Sequence, residues 1–322
     1  MDTINTDVGG SMLGAGIMPR SIQPSGFLLG LSEEWRVECA SANVGTFLGI
    51  EATDLIGSPA STFFSDNAIH ALRNRLALLR EPDGIERLFA CQLGDDGPPF
   101  DVAIHMSGEQ VIIEAEPSTA KLYGDVTGTL RGMMARVEAA DDLPAVCEAA
   151  ARQMRALTGF DRVIVTRLQS DGPGTIIAEA ARGSVDTVPG AQVSKVLVAA
   201  NELAAVCGTS LHVVADVDAE PVPIIVALQS DHHFPELACA VLRAASVDQR
   251  DRLRSLGARA SVTLALEVDG ALWGLVSCHH NAPRRISFER RALVELFAQM
   301  FAMRIEIVEL KSALARGSAL PA

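Results

Sequence analysis

The chain has 322 residues, room for two packed units at roughly 150 residues per domain. Its 48% hydrophobic and 21% charged residues argue against intrinsic disorder. Twenty-seven Lys and Arg against 40 Asp and Glu leave a net charge of -13, which disfavours nucleic acid and anionic membrane surfaces as partners. With 11 Phe, 2 Trp and 1 Tyr there is little from which to build base-stacking platforms.

Residues 1 to 25 are Gly-rich and polar, carry no basic segment ahead of an apolar run, and read as an extended arm rather than a secretory signal. No stretch approaches 20 uninterrupted apolar residues, so a cytoplasmic location without a membrane span is expected. From Gly26 the pattern predicts strands at Gly26 to Leu31 and Trp35 to Ser41, short helices through Ile50 and Ser61, and a longer helix from Asp66 to Arg80. Three strands follow, Arg87 to Leu93, Phe100 to Ser107 and Gln110 to Glu116, divided by Gly-Asp-Asp-Gly and Ser-Gly turns. Together these describe a five-stranded antiparallel sheet with helices on one face.

A second unit opens with Thr127 to Glu138 and a helix started by Asp141, Asp142 and Pro144, residues suited to a helix N-terminus. Strands at Phe160 to Leu168 and Thr175 to Arg182 come next, then a helical region near Val193 to Val206, a long irregular connection and a helix near Asp248 to Leu256. Ala260 to Val268 and Ala271 to Cys278 flank Asp269-Gly270, a type I′ hairpin signature. Both units are therefore α+β, with boundaries at 1–25 for the arm, 26–120 for the first domain, 121–286 for the second and 287–322 for a terminal helix. In that helix Leu293, Leu296, Met300, Met303, Ile307 and Leu310 form a heptad seam, beside a second stripe of Phe297, Phe301, Ile305 and Val308. One stripe can be buried in the chain's own core while the other meets a second copy, which predicts a homodimer.

No G-x-G-x-x-G, P-loop, H-E-x-x-H or G-x-S-x-G string occurs, so catalysis by this segment is not expected. His232-His233 and His279-His280 are adjacent pairs rather than helix-face metal ligands, and Asp216 and Asp218 read as loop carboxylates. The six cysteines form no C-x-x-C pair, and no metal site is written here.

Particular strings go further. Ser21-Ile22-Gln23-Pro24-Ser25-Gly26 resembles the S-I-Q-P-H-G that opens bacterial phytochromes. Gly159-Phe160-Asp161-Arg162-Val163, Ala215-Asp216-Val217-Asp218 with Pro221-Val222-Pro223, Leu256-Gly257-Ala258-Arg259-Ala260-Ser261 and Gly270 to His280, with its W-G-L-x-x-C-H-H string, continue that family's order from about residue 19 to 312. The resemblance implies a PAS domain followed by a GAF domain, with the arm near Ile22 passing through a loop at Ala227 to Val247 to make a knot. It also implies a PHY domain, a histidine kinase and a cognate response regulator beyond this segment, which would then be the sensory front end of a longer protein.

Members of that family hold biliverdin through a thioether to an arm cysteine. The matching position here is Ser11 or a neighbour, and no cysteine precedes Cys39. An alcohol does not ionise as a thiol of pKa about 8.5 does, so covalent attachment is expected to be absent. Leu197 stands where the family's pocket Asp belongs, Gln249 where its histidine belongs, and the pocket tyrosines fall on Thr166, Val206 and Arg252. The resemblance leaves Arg243 with Ser261 and Thr263 at positions that hold the propionates, Ser246 at another pocket hydroxyl and His279 beside the D ring. The function expected is a sensory module that has lost covalent bilin and answers a cue other than light, plausibly redox through Cys207, Cys239 or Cys278, with no cofactor required. The alternative is a red/far-red photoreceptor that keeps its bilin noncovalently.

Overall fold

The computed structural model describes residues 11–13, 16–18, 20–79, 84–119, 125–169, 172–183, 192–193, 211–226 and 234–317. Its elements, in chain order, are β1 (Ser11–Leu13), β2 (Gly16–Met18), β3 (Ser21–Ile22), β4 (Phe27–Leu31), β5 (Val37–Ser41), α1 (Val44–Leu48), α2 (Ala52–Leu55), α3 (Asp66–Leu76), β6 (Glu86–Cys91), β7 (Phe100–Ser107) and β8 (Gln110–Pro117). There follow α4 (Val126–Glu138), α5 (Leu143–Thr158), β9 (Arg162–Gln169), β10 (Gly172–Ala181), β11 (Gln192–Val193), β12 (Leu211–Val214), β13 (Val222–Val226), α6 (Val247–Ser255), β14 (Ala260–Val268), β15 (Ala271–His280) and α7 (Phe288–Gly317). Packing groups Met1–Lys121 with Val213–Asp251 in one unit, and Leu122–His212 with Arg252–Ala322 in the other.

The first unit is built on period-two alternation. Phe27, Leu29 and Leu31 on β4, Phe100, Val102 and Ile104 on β7, and Val111, Ile113 and Ala115 on β8 turn to one face. There they meet Val44, Leu55, Ala68 and Leu72 from the helices. Each fully buried Leu or Phe contributes roughly 1.5–3 kcal/mol, and the Phe27 and Phe100 rings meet edge to face at 5.6 Å. Helix α3 starts as its sequence requires, with Ser65 accepting the Ala68 N–H at 3.2 Å.

Among the described residues the sheet has seven strands, in the order β3-β13-β5-β4-β8-β7-β6, where the alternation predicts five. The two extra strands carry no readable pattern: β3 has two residues, and β13 contains Pro223, which has no N–H to give a ladder. The arm is also not uniformly extended, since β1 and β2 pair with Ser11 opposite Met18. Its Ser21-Ile22-Gln23 segment lies between two later stretches of chain. Ile22 pairs with Val222 on one side and bridges Arg243 on the other, and Gln23 N donates to Leu242 O at 2.7 Å. The loop proposed for the knot includes residues 227–233, which lie outside the described residues.

The second unit carries a sheet in the order β11-β10-β9-β15-β14-β12, with α4, α5 and α7 packed together and α5 and α7 against its strands. Asp142 caps α5 by accepting the Ala145 N–H, and Gly159 ends it at φ 67°, a left-handed value that glycine adopts without strain. Asp269 and Gly270 both take positive φ, 51° and 69°, as a type I′ turn requires. The helix expected near Val193 to Val206 is a strand at 192–193, and its remaining residues lie outside the described ones.

Helix α7 separates its two stripes. Phe297, Phe301, Ile305 and Val308 are buried, while Leu296, Met303, Ile307 and Leu310 are 45–56% exposed. Leu293, drawn with the seam, is buried, and Met300 is half-buried. Among the described residues no helix is long and apolar enough to cross a membrane.

Candidate functional site

Residues directly opposite one another in an antiparallel ladder point to the same face. Across β14, β15 and β9, His279 lies opposite Ser261 and Arg162, Ser277 opposite Thr263 and Ile164, and Leu275 opposite Ala265 and Thr166. These rows form one face of the second unit's sheet. The intervening Val262, Leu264, Val276, Cys278, Val163 and Val165 point the other way and are buried. The sheet therefore has an apolar side, where the helices pack, and a mixed side on which Ser261, Thr263, Ser277, Thr166, His279 and Arg162 share the face with the buried Ile164, Ala265 and Leu275.

The polar side is held in a fixed arrangement. Arg162 Nε donates to Glu179 Oε1 at 2.6 Å, and the Glu179 side chain is almost wholly buried. Burial, with the Arg162 charge adding to it, pushes His279 down to about 4. At neutral pH its ring therefore presents one donor and one acceptor beside the Ser261 hydroxyl. The following residue does a different job: His280 Nδ1 is 2.7 Å from Asp161 Oδ2, and that carboxylate also accepts the Asn281 N–H at 3.1 Å.

The other residues singled out in the sequence are placed as follows. Arg243, Ser246 and Gln249 belong to the first unit. Arg243 is 3% exposed and its Nη1 donates to the Leu237 and Ala238 carbonyls at 3.2 and 2.8 Å. Burial lowers its pKa to about 10, and the nearby Glu114 charge opposes that shift. Ser246 is spent as a helix cap, its Oγ accepting the Gln249 N–H at 3.2 Å, with Gln249 buried in the first turn of α6. Ser11 lies in β1, whereas Leu197, Val206 and Cys207 are outside the described residues.

The thiols are poorly set for reaction. Cys278 is fully buried on the apolar side and burial pushes it up to about 12, with a Thr158 hydrogen bond pulling slightly the other way. Cys39 and Cys147 are likewise raised to about 12. A reactive thiol needs the opposite shift. Cys239 is buried in the turn before Arg243, and its thiolate would lie in that guanidinium's field.

Three residues of the first unit act in ways that sequence reasoning missed. Glu114 is fully buried mid-strand and accepts the Val241 and Leu242 N–H groups at 2.9 and 2.7 Å. His105, equally buried, has Nδ1 3.6 Å from Glu114 Oε1 and neither ring nitrogen in a hydrogen bond among the described residues. Gln23 donates to Val213 O and Arg243 O at 2.7 and 3.1 Å and accepts the Ala215 N–H at 2.9 Å. The one signal available was a glutamate within the apolar run Val111-Ile112-Ile113-Glu114-Ala115, since a buried carboxylate must find donors.

Residues 17–118 match the PAS fold and residues 142–307 match the GAF domain. A bacteriophytochrome of Pseudomonas aeruginosa is 28% identical over 297 residues, covering 91% of this chain and 40% of that protein. The solved chromophore-binding domain of a Stigmatella aurantiaca phytochrome is 28% identical with a TM-score of 0.78, covering 89% of this chain and 96% of that one. A bacteriophytochrome structure from R. palustris is 27% identical with a TM-score of 0.81, covering 94% of this chain and 61% of that one. The chain spans 21–40% of the length of the curated relatives it matches.

Proposed function

This chain belongs to the bacteriophytochrome family as a PAS–GAF region, and from that premise we propose that it is a sensory input module that holds its ligand without a thioether. The observation that carries this is the polar face itself. A sheet face that served only as core would be apolar, yet this one sets the neutral His279 imidazole opposite the Ser261 hydroxyl, with Thr263 and Ser277 in the next row. That donor set fits the lactam and carboxylate groups of a bilin, so Ser261, Thr263 and His279 would hold such a pigment by hydrogen bonds. The bond to the vinyl group has no counterpart, because no cysteine precedes Cys39.

The ligand, when bound, supplies light absorption, and the residues orient it and shield it from water. Titrating purified protein with biliverdin tests this. A red absorption band is expected to grow with the pigment, to weaken about tenfold in affinity in Ser261→Ala or His279→Ala, and to leave with the pigment on denaturation. No band at all would overturn noncovalent bilin binding and leave a cue other than light.

A redox reading rests on Cys239 beside Arg243 and on Cys207, which lies outside the described residues, with Cys278 giving it no support. Unchanged output after peroxide or dithiothreitol, or with Cys207, Cys239 and Cys278 all changed to Ala, would remove it. The exposed seam of α7 supports a homodimer through Leu296, Met303, Ile307 and Leu310. We assign PHY and kinase domains, a response regulator partner and a cytoplasmic location to the longer protein on the family's pattern.

A further inference from the structure

We infer that Arg167, Trp273 and Glu309 form a clasp that fixes the C-terminal half of α7 to the sheet and passes changes on the polar face to that helix. The second part rests on the reading of that face as a ligand wall. The first stands on geometry alone.

The tryptophan of the W-G-L string reaches the helix side through a bulge. Leu266 is opposite Gly274 and Glu267 opposite Leu272, which leaves Trp273 as the extra residue with no partner on β14. A bulge lets two successive side chains share a side. Trp273 is 8% exposed, and its indole Nε1 donates to Glu309 Oε1 on α7 at 3.2 Å. Gly274 has to follow, because a Cβ there would overlap the Thr166 carbonyl oxygen.

The same carboxylate oxygen is 3.0 Å from Arg167 Nη2 on β9, and that guanidinium sits 5.4 Å from the centre of the Trp273 ring. An exposed ion pair alone contributes little. Here one oxygen of the helix joins two strands, and the cation stacks on the indole that shares it. The clasp lies directly after Val308, the last buried residue of α7 among the described residues.

Transmission follows from adjacency. Thr166 is on the polar face and Arg167, the next residue, is in the clasp; His279 and Trp273 share β15. A strand is stiff along its length, so a shift that re-seats Thr166 or His279 re-aims Arg167 or Trp273 by a comparable amount. An occupant of the face thereby changes how firmly residues 303–314 of α7 are held.

Amide hydrogen exchange on the intact chain tests both parts. Glu309→Ala and Trp273→Phe, which keeps an aromatic ring but loses the indole donor, are expected to speed exchange of residues 303–314 about fivefold or more, with residues 143–158 unchanged. Glu309→Gln, which keeps an acceptor and loses the charge, is expected to fall between. Unchanged exchange in all three overturns the clasp. Thr166→Val alters the polar face at constant shape. Its effect on residues 303–314 is expected in the wild-type background and is expected to vanish in Glu309→Ala, whereas equal effects in both, or none in either, overturn transmission. No arm uses biliverdin, so failure to bind pigment and failure of the clasp are separate results.

Discussion

Glu114 Oε2 accepts the backbone N–H of Leu242 at 2.7 Å across 128 positions of sequence. With the Val241 N–H on its other oxygen, this carboxylate pins the turn that follows Leu237 to the back of the first unit's sheet. Removing it leaves two donors unpaired and the Arg243 charge without its neighbouring carboxylate. Glu114→Ala is expected to cost about 3–5 kcal/mol in denaturant unfolding, the range for breaking a buried charged group's pairing. A cost below about 1 kcal/mol would contradict the role.

Gln23 places both its N–H donors and its carbonyl oxygen in backbone bonds, to Val213, Arg243 and Ala215. Gln23→Ala is expected to cost about 1–3 kcal/mol. Gln23→Glu sets a carboxylate oxygen against two carbonyls, so it should be worse than Ala at pH 7 and recover part of the loss near pH 4. If Gln23→Glu matched wild type at both pH values, the donor assignment would be wrong.

His105 and His279 both have pKa values lowered to about 4 from 6.5 by burial. Below pH 6.5 the unfolded chain binds protons that the native protein does not, so stability falls as pH drops from 6.5 to 4. The slope is up to about 1.4 kcal/mol per pH unit for each group. His105 makes no hydrogen bond among the described residues, so His105→Leu should cost nothing at pH 7 and flatten that decline. Urea midpoints across this range check it, and an unchanged slope would refute it.

On α7, Met303→Lys and Ile307→Glu change exposed positions and should move folding stability by no more than about 0.5 kcal/mol. Self-association should nevertheless fall from dimer to monomer in sedimentation at micromolar concentration. A dimer that survives both changes lies on another surface.

Much of the fold was legible because its strongest signals are local. Phe100 to Ser107 and Ala260 to Val268 fall on observed strands, and Asp269-Gly270 takes the backbone its sequence demands. What was not legible depends on distant chain. Nothing near Ser21 or Pro223 says that they pair, and nothing near Glu114 names Leu242 as its partner. The pocket candidates came from family resemblance, and the ladder registers then placed Ser261, Thr263 and His279 on one face. They also gave Trp273 to the opposite side, because a bulge breaks the alternation on which any reading of β15 depends.

The most direct test is the intact mass of the denatured chain after coexpression with a heme oxygenase, alongside the visible spectrum of the native protein. A coloured native protein whose denatured mass is that of the bare polypeptide is the expected result. A mass raised by one biliverdin would show a covalent bond to this chain and contradict the proposal at its centre.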